Sequence, residues 1–447
     1  MKRIKRVFVA NRGEIALRII SACRELGIES VVGTSDADRD GLAAREADRA
    51  VCLGPPPAAQ SYLRDDLVVQ AALGTGCDAI HPGYGFLAES PKLAARAREH
   101  GLTFVGPPAE VIELSGDKLR AREEASRAGV PILPGQETAS ADEAREVADT
   151  IGYPLLVKAA GGGGGRGIKL ARDADELDRL LSLARSEAGA AFGDDRVYLE
   201  RFIATARHVE VQIAADEHDA VVHLGERDCS VQRRYQKVIE EAPAPGLEVP
   251  ARAAIHDAAV RFARAIGYRN LGTVEFVVDS ETGEHYFLEI NCRIQVEHPV
   301  TEAVTGRDLV ALQLHVAAGR RLGFGQEDVV LDGHAIECRL NAEDVAHGFM
   351  PSPGTLSLFS VPESPGLRVD THCFPGAVIP PYYDSLMAKL IAHAGDRDAA
   401  IDALIDALED LDVEGVETNR TLLISVLGHD DFRRGAVTTD WLERAIV

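Results

Sequence analysis

The sequence predicts a multidomain protein of mixed α/β and α+β class. Its 447 residues are more than one hydrophobic core normally serves, so two to four domains are expected. Residues 6–36 read as strand, helix and strand, and such alternation is typical of a parallel sheet with helical crossovers. From about residue 331 the sequence pattern changes to proline-glycine turns and short predicted strands, which indicates a separate, β-rich domain.

The N-terminal unit, residues 1–114, is predicted to be a parallel-sheet domain of Rossmann-like type. RVFVA and ESVVGTSD are its first two strands, and the helix GEIALRIISACRELG connects them. CDAIHPGYGFLAES (77–90) and LTFVGP (102–107) are later strand ends and turns of the same domain. Asp36 closes the second strand, where a dinucleotide-binding fold would bind ribose. The first turn, NRGE, has one glycine and no GxGxxG pattern, which argues against a nicotinamide cofactor.

Residues 115–330 form a second predicted α/β unit, and residues 331–447 a third, strand-rich one. In the second unit, helices precede the buried strand PLLVKA, which leads into a glycine-rich loop and the acidic helix ARDADELDRLLSLARSEAGAAF. VYLERFI, at 197–203, is the next strand; GTVEFVVD and EHYFLEINC are later strands paired through a turn at Gly283. The third unit begins with GHAIECRLNAED and closes with two helices, DRDAAIDALIDALEDL and TNRTLLISVLG.

Composition argues against several classes of function. The net charge of −23, from 71 acidic and 48 basic residues, is unfavourable for a nucleic-acid binder. No apolar run approaches the ~20 residues of a membrane helix, and the apolar run in MKRIKRVFVANRGE is too short for a signal peptide. The seven cysteines are scattered without a CxxC pair, so we expect a reducing, cytoplasmic compartment with neither disulfides nor a zinc site.

The glycine-rich loop, KAAGGGGGRGIKL, directly follows a buried strand. It does not match the phosphate-loop pattern GxxxxGK[ST], but glycine backbone N–H groups can approach an oxyanion closely. Such a loop can also be a mobile lid over a reaction site. The alternative is a flexible linker, which would not usually follow a buried strand that ends in lysine. Only eight of the 48 basic residues are lysine, so Lys158 indicates a position where a compact ammonium is preferred.

A second segment, EINCRIQVE, carries a run of polar side chains. In alternation with apolar residues these are Glu289, Asn291, Arg293, Gln295 and Glu297. If the segment is extended, one face packs inward and the other presents carboxylates, amides and a guanidinium. The alternative is a solvated strand face, but the predicted solvent faces of this chain consist mostly of Asp, Glu, Arg and Ala. A paired Asn and Gln would be unusual on such a face. Glu275, on the partner strand, can lie beside Glu289, and two adjacent carboxylates repel unless a cation lies between them. With Asn291 they form an all-oxygen set suited to Mg²⁺.

Four motifs together resemble the biotin carboxylases, members of the ATP-grasp superfamily: YPLLVKAAGGGGGRG, ERDCSVQRRYQKVIEEAPAP, LEINCRIQVEHPVTE and GHAIECRLNAED. The resemblance covers essentially the whole chain, from VANRGEIALRI to IPPYYDSLMAKL. It implies an ATP-grasp domain at residues 115–330, with a mobile lid at about 131–203, that clamps ATP between two α+β subdomains. It also implies a biotin carboxylase C-terminal domain at 331–447.

The resemblance implies a role for each matching residue. ATP would be bound by Lys118, Lys158, Gly163, Gly164, Gly165, Glu200, Arg201, Phe202, Ile203, His208, Gln232, Tyr235, Glu275 and Glu289. The metal, Mg²⁺ or Mn²⁺, would be bound by Glu275, Glu289 and Asn291. Bicarbonate would be held by Lys237, Arg293, Gln295, the Val296 backbone and Glu297, and biotin would lie against Arg339 and Tyr84. The catalytic residues would be Arg293, Glu297, Lys237 and Arg339, with Glu297 as the general base.

Three positions depart from the family pattern. Tyr235 stands where the motif often reads RRHQK, and its phenol can still hydrogen-bond. Arg201 replaces a common lysine. Cys292 replaces the usual Thr or Pro, and we expect it on the apolar face as a small buried hydrophobe.

The implied activity is a ligase reaction that forms a C–N bond: ATP-dependent carboxylation of biotin with bicarbonate, through carboxyphosphate. The chain has no AMKM-like tetrapeptide for biotin attachment, so the expected partners are a separate biotin carboxyl carrier protein and a carboxyltransferase subunit. We expect a homodimer within an acetyl-CoA or related acyl-CoA carboxylase of fatty acid biosynthesis, with no nucleic-acid or membrane partner. Two alternatives stay open: another ATP-grasp ligase, with a carbamoyl or purine-pathway substrate, and a non-catalytic nucleotide-binding subunit.

Overall fold

The N-terminal part of the chain forms a five-stranded parallel sheet. A computed structural model describes residues 3–161 and 168–445. The elements up to Gly116 are β1 (Arg6–Val9), α1 (Gly13–Glu25), β2 (Glu29–Ser35), α2 (Leu42–Glu46), β3 (Arg49–Gly54), α3 (Asp65–Gly74), β4 (Ala79–His81), α4 (Pro91–Glu99), β5 (Thr103–Phe104) and α5 (Ala109–Gly116). The strand order is β3-β2-β1-β4-β5, and every neighbouring pair is parallel. The predicted Rossmann-like sheet is therefore confirmed.

A small four-stranded sheet with its own core follows. Its elements, with the helix that precedes them, are α6 (Lys118–Arg127), β6 (Gly135–Thr138), α7 (Ala141–Ile151), β7 (Leu155–Ala159), β8 (Lys169–Ala171), α8 (Ala174–Phe192) and β9 (Val197–Arg201). The strands are antiparallel in the order β6-β9-β7-β8. Leu155, Val157 and Leu199 pack against α7 and α8 in a hydrophobic cluster that contains no residue of the other sheets. This separate core makes residues 135–161 and 168–201 a compact unit.

An eight-stranded antiparallel sheet forms the centre of the molecule. It uses β10 (Ala206–Ala215), β11 (Val221–Arg233), β12 (Gln236–Ala242), β13 (Asn270–Asp279) and β14 (His285–Asn291), with α9 (Val249–Ala265), α10 (His298–Thr305) and α11 (Leu309–Ala317) as the helices of this part of the chain. The C-terminal part contributes β15 (His334–Asn341), β20 (Leu367–Thr371) and β22 (Leu386–Ala394), with β16 (Glu343–Asp344), β17 (Met350–Pro351), β18 (Gly354–Thr355), β19 (Leu358–Ser360) and β21 (Val378–Ile379) outside this sheet. The order is β14-β13-β10-β11-β12-β15-β22-β20.

The end of the chain packs helices against this sheet. These elements are α12 (Arg397–Glu409), β23 (Asp412–Glu414), α13 (Arg420–Gly428), α14 (Asp430–Arg433) and α15 (Trp441–Ala445). Leu390 of β22, Leu404 of α12 and Leu423 of α13 are fully buried in one cluster. The cluster holds β15, β22 and the closing helices together as one body.

The structure contains elements that the sequence predictions did not include, and it contradicts one predicted segment. Among the elements that were not anticipated are strands β6, β8, β10, β11 and β12 and the two short helices α14 and α15, which follow the two predicted closing helices. The boundary proposed at 330/331 stays a prediction; β12 pairs with β15, so the large sheet takes strands from both sides of it. The extended segment predicted up to Glu297 is wrong beyond Asn291, where β14 ends and the chain turns before α10. Within the described residues, no helix has the length and apolarity to cross a membrane.

Candidate active site

Two adjoining cavities are lined by every predicted site residue that the structure describes. The first, of about 470 Å³, has among its lining residues Tyr84, Lys118, Lys158, His208, Gln232, Tyr235, Lys237, Glu275, Glu289, Asn291, Arg293, Gln295, Val296, Glu297 and Arg339. The second, of about 330 Å³, has Lys158, Glu200, Arg201, Phe202, Ile203, His208, Gln232 and Tyr235. Four of these residues line both cavities, so the two form one cleft between the small sheet and the large one. The predicted loop residues Gly163, Gly164 and Gly165 lie outside the described residues.

Three neighbouring strands place carboxylates in a row at the first cavity, and two of them, Glu275 and Glu289, line it. Glu210 on β10 is the register partner of Glu275 on β13, and Glu275 is the partner of Glu289 on β14. The predicted proximity of Glu275 and Glu289 is thus confirmed. Glu210 and Glu275 are buried, whereas the side chain of Glu289 is 26% exposed. Buried carboxylates side by side need positive charge or protons between them.

Lys237 on β12 supplies positive charge to three carboxylates. Its Nζ lies 2.5 Å from Glu210 Oε2, 3.0 Å from Glu275 Oε1 and 2.6 Å from Glu297 Oε1. Burial opposes the charge, but the three carboxylates raise the pKa of Lys237 well above its ordinary value. Burial likewise opposes ionisation of Glu210, yet Lys237 and Arg227 lower the pKa of Glu210 to about 2. This cluster is therefore ionised at neutral pH.

Glu297 lies between two cations at the start of α10. Its Oε1 accepts from Lys237, and its Oε2 accepts from Arg339 Nη2 at 2.8 Å. The carboxyl is fully buried, and burial raises its pKa, but Lys237 and Arg339 bring the net pKa below the ordinary value. Arg339 on β15 also donates from Nε to Glu240 Oε1 at 2.6 Å. Glu297 is thus an ionised base with defined partners on both oxygens.

Arg293 and Gln295 surround the remaining edge of this cavity. Arg293 donates to Glu89 Oε2 at 3.0 Å and to Asn291 Oδ1 at 2.9 Å. Gln295 Nε2 donates to Glu275 Oε1 at 2.9 Å. The Val296 carbonyl accepts from Lys389 Nζ at 2.9 Å.

Two lysines reach the cleft from the start of α6 and from β7. Lys118 Nζ lies 3.7 Å from Glu289 Oε2, and the Lys118 backbone N–H donates to the Ala160 carbonyl at 3.2 Å. Lys158 Nζ donates to Glu200, which also accepts from Arg122. The side chain of Glu200 therefore holds Lys158 through one oxygen and Arg122 through the other. Both lysines flank the beginning of the glycine-rich loop.

The second cavity carries the remaining predicted nucleotide residues. Arg201, Phe202 and Ile203 follow β9, where the chain passes from the small sheet to the large one. His208 Nε2 lies 2.9 Å from Glu275 Oε2, and its Nδ1 lies 2.7 Å from Gln232 Nε2. Burial lowers the pKa of His208, but the Glu275 carboxylate outweighs it and the net pKa is raised.

Tyr235 occupies the two-residue turn between β11 and β12. Arg234 has φ +48° and Tyr235 has φ +65°, and a type I′ hairpin turn needs positive φ at both central residues. A bulky side chain in this region strains the backbone. The Tyr235 ring is 51% exposed and lines both cavities. Tyr84, half-buried beyond β4, reaches the first cavity from the N-terminal sheet, and its carbonyl accepts from Asn11.

The predicted metal ligands fit a hard divalent cation by their chemistry. Glu275, Glu289 and Asn291 offer oxygen atoms only, from adjacent positions on β13 and β14, which suits Mg²⁺. Asn291 Nδ2 donates to Glu275 Oε1 at 2.9 Å, so the two side chains are in contact. Glu275 also belongs to a tighter group with His208 and Glu210, whose ligand atoms lie within 4.8 Å of one another. Lys237 already neutralises that group.

Cys292 is buried as predicted. It is 1% exposed and packs in the cluster beneath β13 and β14. Burial raises the pKa of its thiol to about 12, so it is a poor nucleophile.

Sequence reasoning missed five charged residues around the cleft: Glu89, Glu210, Arg227, Glu240 and Lys389. Glu210 had a readable signal, because HVEVQIA alternates polar and apolar residues in the same way as the segment from Glu289. Arg227 had none, since it is a fully buried cation whose partner Glu210 lies on another strand. Lys389 had only the scarcity of lysine in this chain as a signal, since its partner Glu14 lies far away in the sequence, on α1.

Three family models match consecutive parts of the chain and define its class. Residues 117–324 match the model of the carbamoyl-phosphate synthase L chain ATP-binding domain, and this range contains most of the cleft. Residues 3–112 match the biotin carboxylase N-terminal domain, and residues 337–444 match the biotin carboxylase C-terminal domain. Fold and site together define an ATP-binding enzyme of the ATP-grasp type.

Relatives over the full length fix the family. The chain is 49% identical to a biotin carboxylase of Pseudomonas aeruginosa, covering 99% of both chains, and 49% identical to biotin carboxylase 1 of Bacillus subtilis, covering 98% of both. Among solved structures, it resembles the biotin carboxylase domain dimer of the Hydrogenobacter thermophilus 2-oxoglutarate carboxylase, bound to MgADP, ADP and bicarbonate. The TM-score is 0.96 at 46% identity, over 99% of this chain and 98% of that one. This chain belongs to the biotin carboxylase family.

Proposed function

We propose that the protein carboxylates biotin at the expense of ATP, with bicarbonate as the carbon source. The observation that carries the proposal is the position of Glu297, an ionised base between Lys237 and Arg339 in a cavity that joins a second, nucleotide-sized one. A bicarbonate-activating site needs a base, positive charge and access to a γ-phosphate, and the cleft offers all three.

The first step is proton transfer from bicarbonate to Glu297, with attack of the bicarbonate oxygen on the γ-phosphate. ADP leaves, and carboxyphosphate forms. Lys118 and Lys158 offset the charge that develops on the phosphate oxygens, while Lys237 and Arg293 hold the bicarbonate. A divalent cation held by Glu275, Glu289 and Asn291 would neutralise phosphate charge when bound.

The second step transfers CO₂ to biotin. Carboxyphosphate breaks into CO₂ and phosphate, the phosphate takes the ureido N–H proton, and the ureido nitrogen attacks CO₂. Arg339 stabilises the oxygen charge of the deprotonated ureido group, with Tyr84 against the ring system. Once Glu297 is protonated, Arg339 has one anionic partner, Glu240, in place of two, so its charge is available to biotin.

Roles for the nucleotide-side residues complete the proposal. Glu200, Arg201, Phe202 and Ile203 surround the adenine, and His208 and Gln232 lie near the ribose. Tyr235 caps the entrance from the β11–β12 turn. The glycine-rich loop, with Gly163 to Gly165, closes over the triphosphate.

Biotin-dependent ATP hydrolysis tests the proposal. Phosphate release should need bicarbonate and should rise when free biotin is added, and radiolabelled bicarbonate should appear in carboxybiotin. A Glu297→Gln variant should lose both signals and still bind ATP. A rate of ATP hydrolysis that does not depend on biotin would refute the proposal and favour another ATP-grasp ligase.

Assembly and organisation are part of the same proposal. The biotin is carried by a separate biotin carboxyl carrier protein, and a carboxyltransferase subunit of an acyl-CoA carboxylase uses the product. A homodimer is supported by the dimer of the Hydrogenobacter relative, and a cytoplasmic location by the seven free cysteines. Domain limits at 114/115 and 330/331 are supported by the three ranges that the family models match.

A further inference from the structure

Two buried carboxyl groups near Arg339 neither bind substrate nor move a proton in the chemistry proposed above. Glu240 on β12 and Glu337 on β15 are register partners on neighbouring antiparallel strands, and both side chains are fully buried. Directly opposed residues of such a pair have Cβ atoms about 4.5–5.5 Å apart and share one face of the sheet. Two negative charges at this separation, away from water, repel strongly.

Hydrogen-bond donors reach only one of the four oxygens. Arg339 donates to Glu240 Oε1. Within residues 3–161 and 168–445, Glu240 Oε2 and both oxygens of Glu337 accept no hydrogen bond from the protein. An ionised carboxylate without a donor is the most unfavourable state of a buried carboxyl, whereas a protonated acid can donate to a neighbouring oxygen.

The surrounding cations are already shared with other acids. Lys389 on β22 donates to the Val296 carbonyl and lies 3.2 Å from Glu14 and 3.7 Å from Asp370. Arg339, two residues after Glu337 on β15, also donates to Glu297 at the start of α10. Lys237, three residues before Glu240 on β12, is shared with Glu210, Glu275 and Glu297.

We propose that Glu240 and Glu337 hold one proton between them, carried by Glu337, and that the resulting single negative charge on Glu240 positions Arg339 for biotin. Glu337 is then a neutral acid at working pH and Glu240 is a positioning residue. Were both ionised, the extra charge would cancel the positive potential of Arg339 at the ureido oxygen. Burial is the largest cause that raises the pKa of both carboxyls, with added repulsion from Glu297 at Glu240 and from Glu240 at Glu337. The pKa of Glu240 is raised to about 7 and that of Glu337 well above its ordinary value.

The role of Arg339 toward biotin rests on the proposed function, but the shared proton does not. Infrared difference spectroscopy on the ligand-free protein, wild type minus Glu337→Gln at neutral pH, tests it without turnover. A carbonyl stretch of a protonated carboxylic acid should be present in the wild type and lost in the variant. No such band in the difference spectrum would overturn the proposal.

Glu241→Gln is the matched control, one position further along β12. Glu241 is also buried, but it accepts from His334 and Arg397, and burial is outweighed by these donors so that its pKa is lowered. Its replacement should remove no protonated-acid band. Equal bands lost in both variants would also overturn the assignment to Glu337.

Stability against pH gives a second readout. A carboxyl whose pKa is raised in the folded protein lowers the free energy of unfolding once pH exceeds its unfolded pKa of about 4.3. This loss of stability grows with pH until the folded pKa is passed. The melting temperature of Glu337→Gln minus that of the wild type should therefore increase as pH rises from about 5 to about 8. Glu241→Gln should behave in the opposite sense and lose stability at neutral pH. A constant difference between Glu337→Gln and wild type would contradict a raised pKa.

The positioning role has a kinetic signature. Glu240→Gln weakens a charge-assisted hydrogen bond to Arg339, so the KM for biotin should rise by about 10- to 100-fold, with the KM for ATP little changed. A merely structural effect would change both constants together, and that result would refute the positioning role.

Discussion

Removing the Lys237 ammonium is the perturbation whose consequence is most fully determined by the structure. In a Lys237→Met variant, the buried carboxyls Glu210, Glu275 and Glu297 lose the cation that contacts all three. Breaking a buried ion pair by deleting one partner costs about 3–5 kcal/mol, because the charge left behind has no compensation. Arg227 and Arg339 still contact Glu210 and Glu297, so we expect about 3 kcal/mol, the lower end of that range.

The sign of the pH dependence follows from the lowered pKa values of these carboxyls. In the wild type they contribute stability that is present above their unfolded pKa of about 4.3 and is lost as pH falls through the folded values. Without Lys237 their pKa values should rise and protons should replace the missing charge. The difference in unfolding free energy between wild type and variant should therefore shrink as pH falls from about 8 to about 5.

Urea unfolding at several pH values measures this difference. Lys92→Met is the control, because Lys92 is 65% exposed and its pair with Asp65, at 3.3 Å, should contribute less than about 1 kcal/mol. Bicarbonate-dependent ATP hydrolysis by Lys237→Met should fall below detection, while the Kd for ATP, measured by calorimetry, should change little. A loss of stability equal to that of the control, or one independent of pH, would refute the account of the cluster.

Three further predictions concern the base, the thiol and the loop. Glu297→Gln should reduce bicarbonate-dependent turnover by about 10²–10⁴-fold with ATP binding nearly intact, as measured by steady-state kinetics and calorimetry; near-normal turnover would rule out Glu297 as the base. Cys292→Ala should leave kinetics unchanged and cost about 1 kcal/mol in urea unfolding, and in the native wild type Cys52, which is exposed, should react with iodoacetamide long before Cys292. Rapid labelling of Cys292 that ATP blocks would contradict its burial. Replacing both Gly164 and Gly165 with Ala should spare the melting temperature but lower turnover and raise the ratio of phosphate released to biotin carboxylated, because a stiffer lid leaks carboxyphosphate to water; unchanged coupling and turnover would favour a linker.

Local sequence patterns were sufficient to predict the N-terminal sheet and part of the candidate site. Strand–helix alternation predicted the N-terminal parallel sheet, and the alternation around Glu289 predicted a polar face turned to the cleft. That face extends beyond the strand, because the segment after Asn291 turns while Arg293, Gln295 and Glu297 still reach the cavity. Pro299, in the first turn of α10, was a readable signal that a helix begins there.

Non-local pairing was beyond the reach of one sequence. The union of β12 with β15 joins strands about a hundred residues apart, and nothing in either segment specifies its neighbour. The same pairing creates the Glu240–Glu337 contact, which no spacing in the chain reveals. Lys389 reads as an ordinary strand residue, and only the folded structure brings it to the Val296 carbonyl and Glu14.

The central claim is that bicarbonate is activated by attack on the γ-phosphate of ATP in this cleft. Bicarbonate labelled with heavy oxygen tests it most directly, because the attacking oxygen must remain with phosphorus when carboxyphosphate breaks down. Mass spectrometry of the phosphate released in the presence of biotin should find one heavy oxygen per phosphate, and the Glu297→Gln variant should release almost none. Phosphate that carries no oxygen from bicarbonate would show that water attacks ATP instead, and would contradict the proposed mechanism.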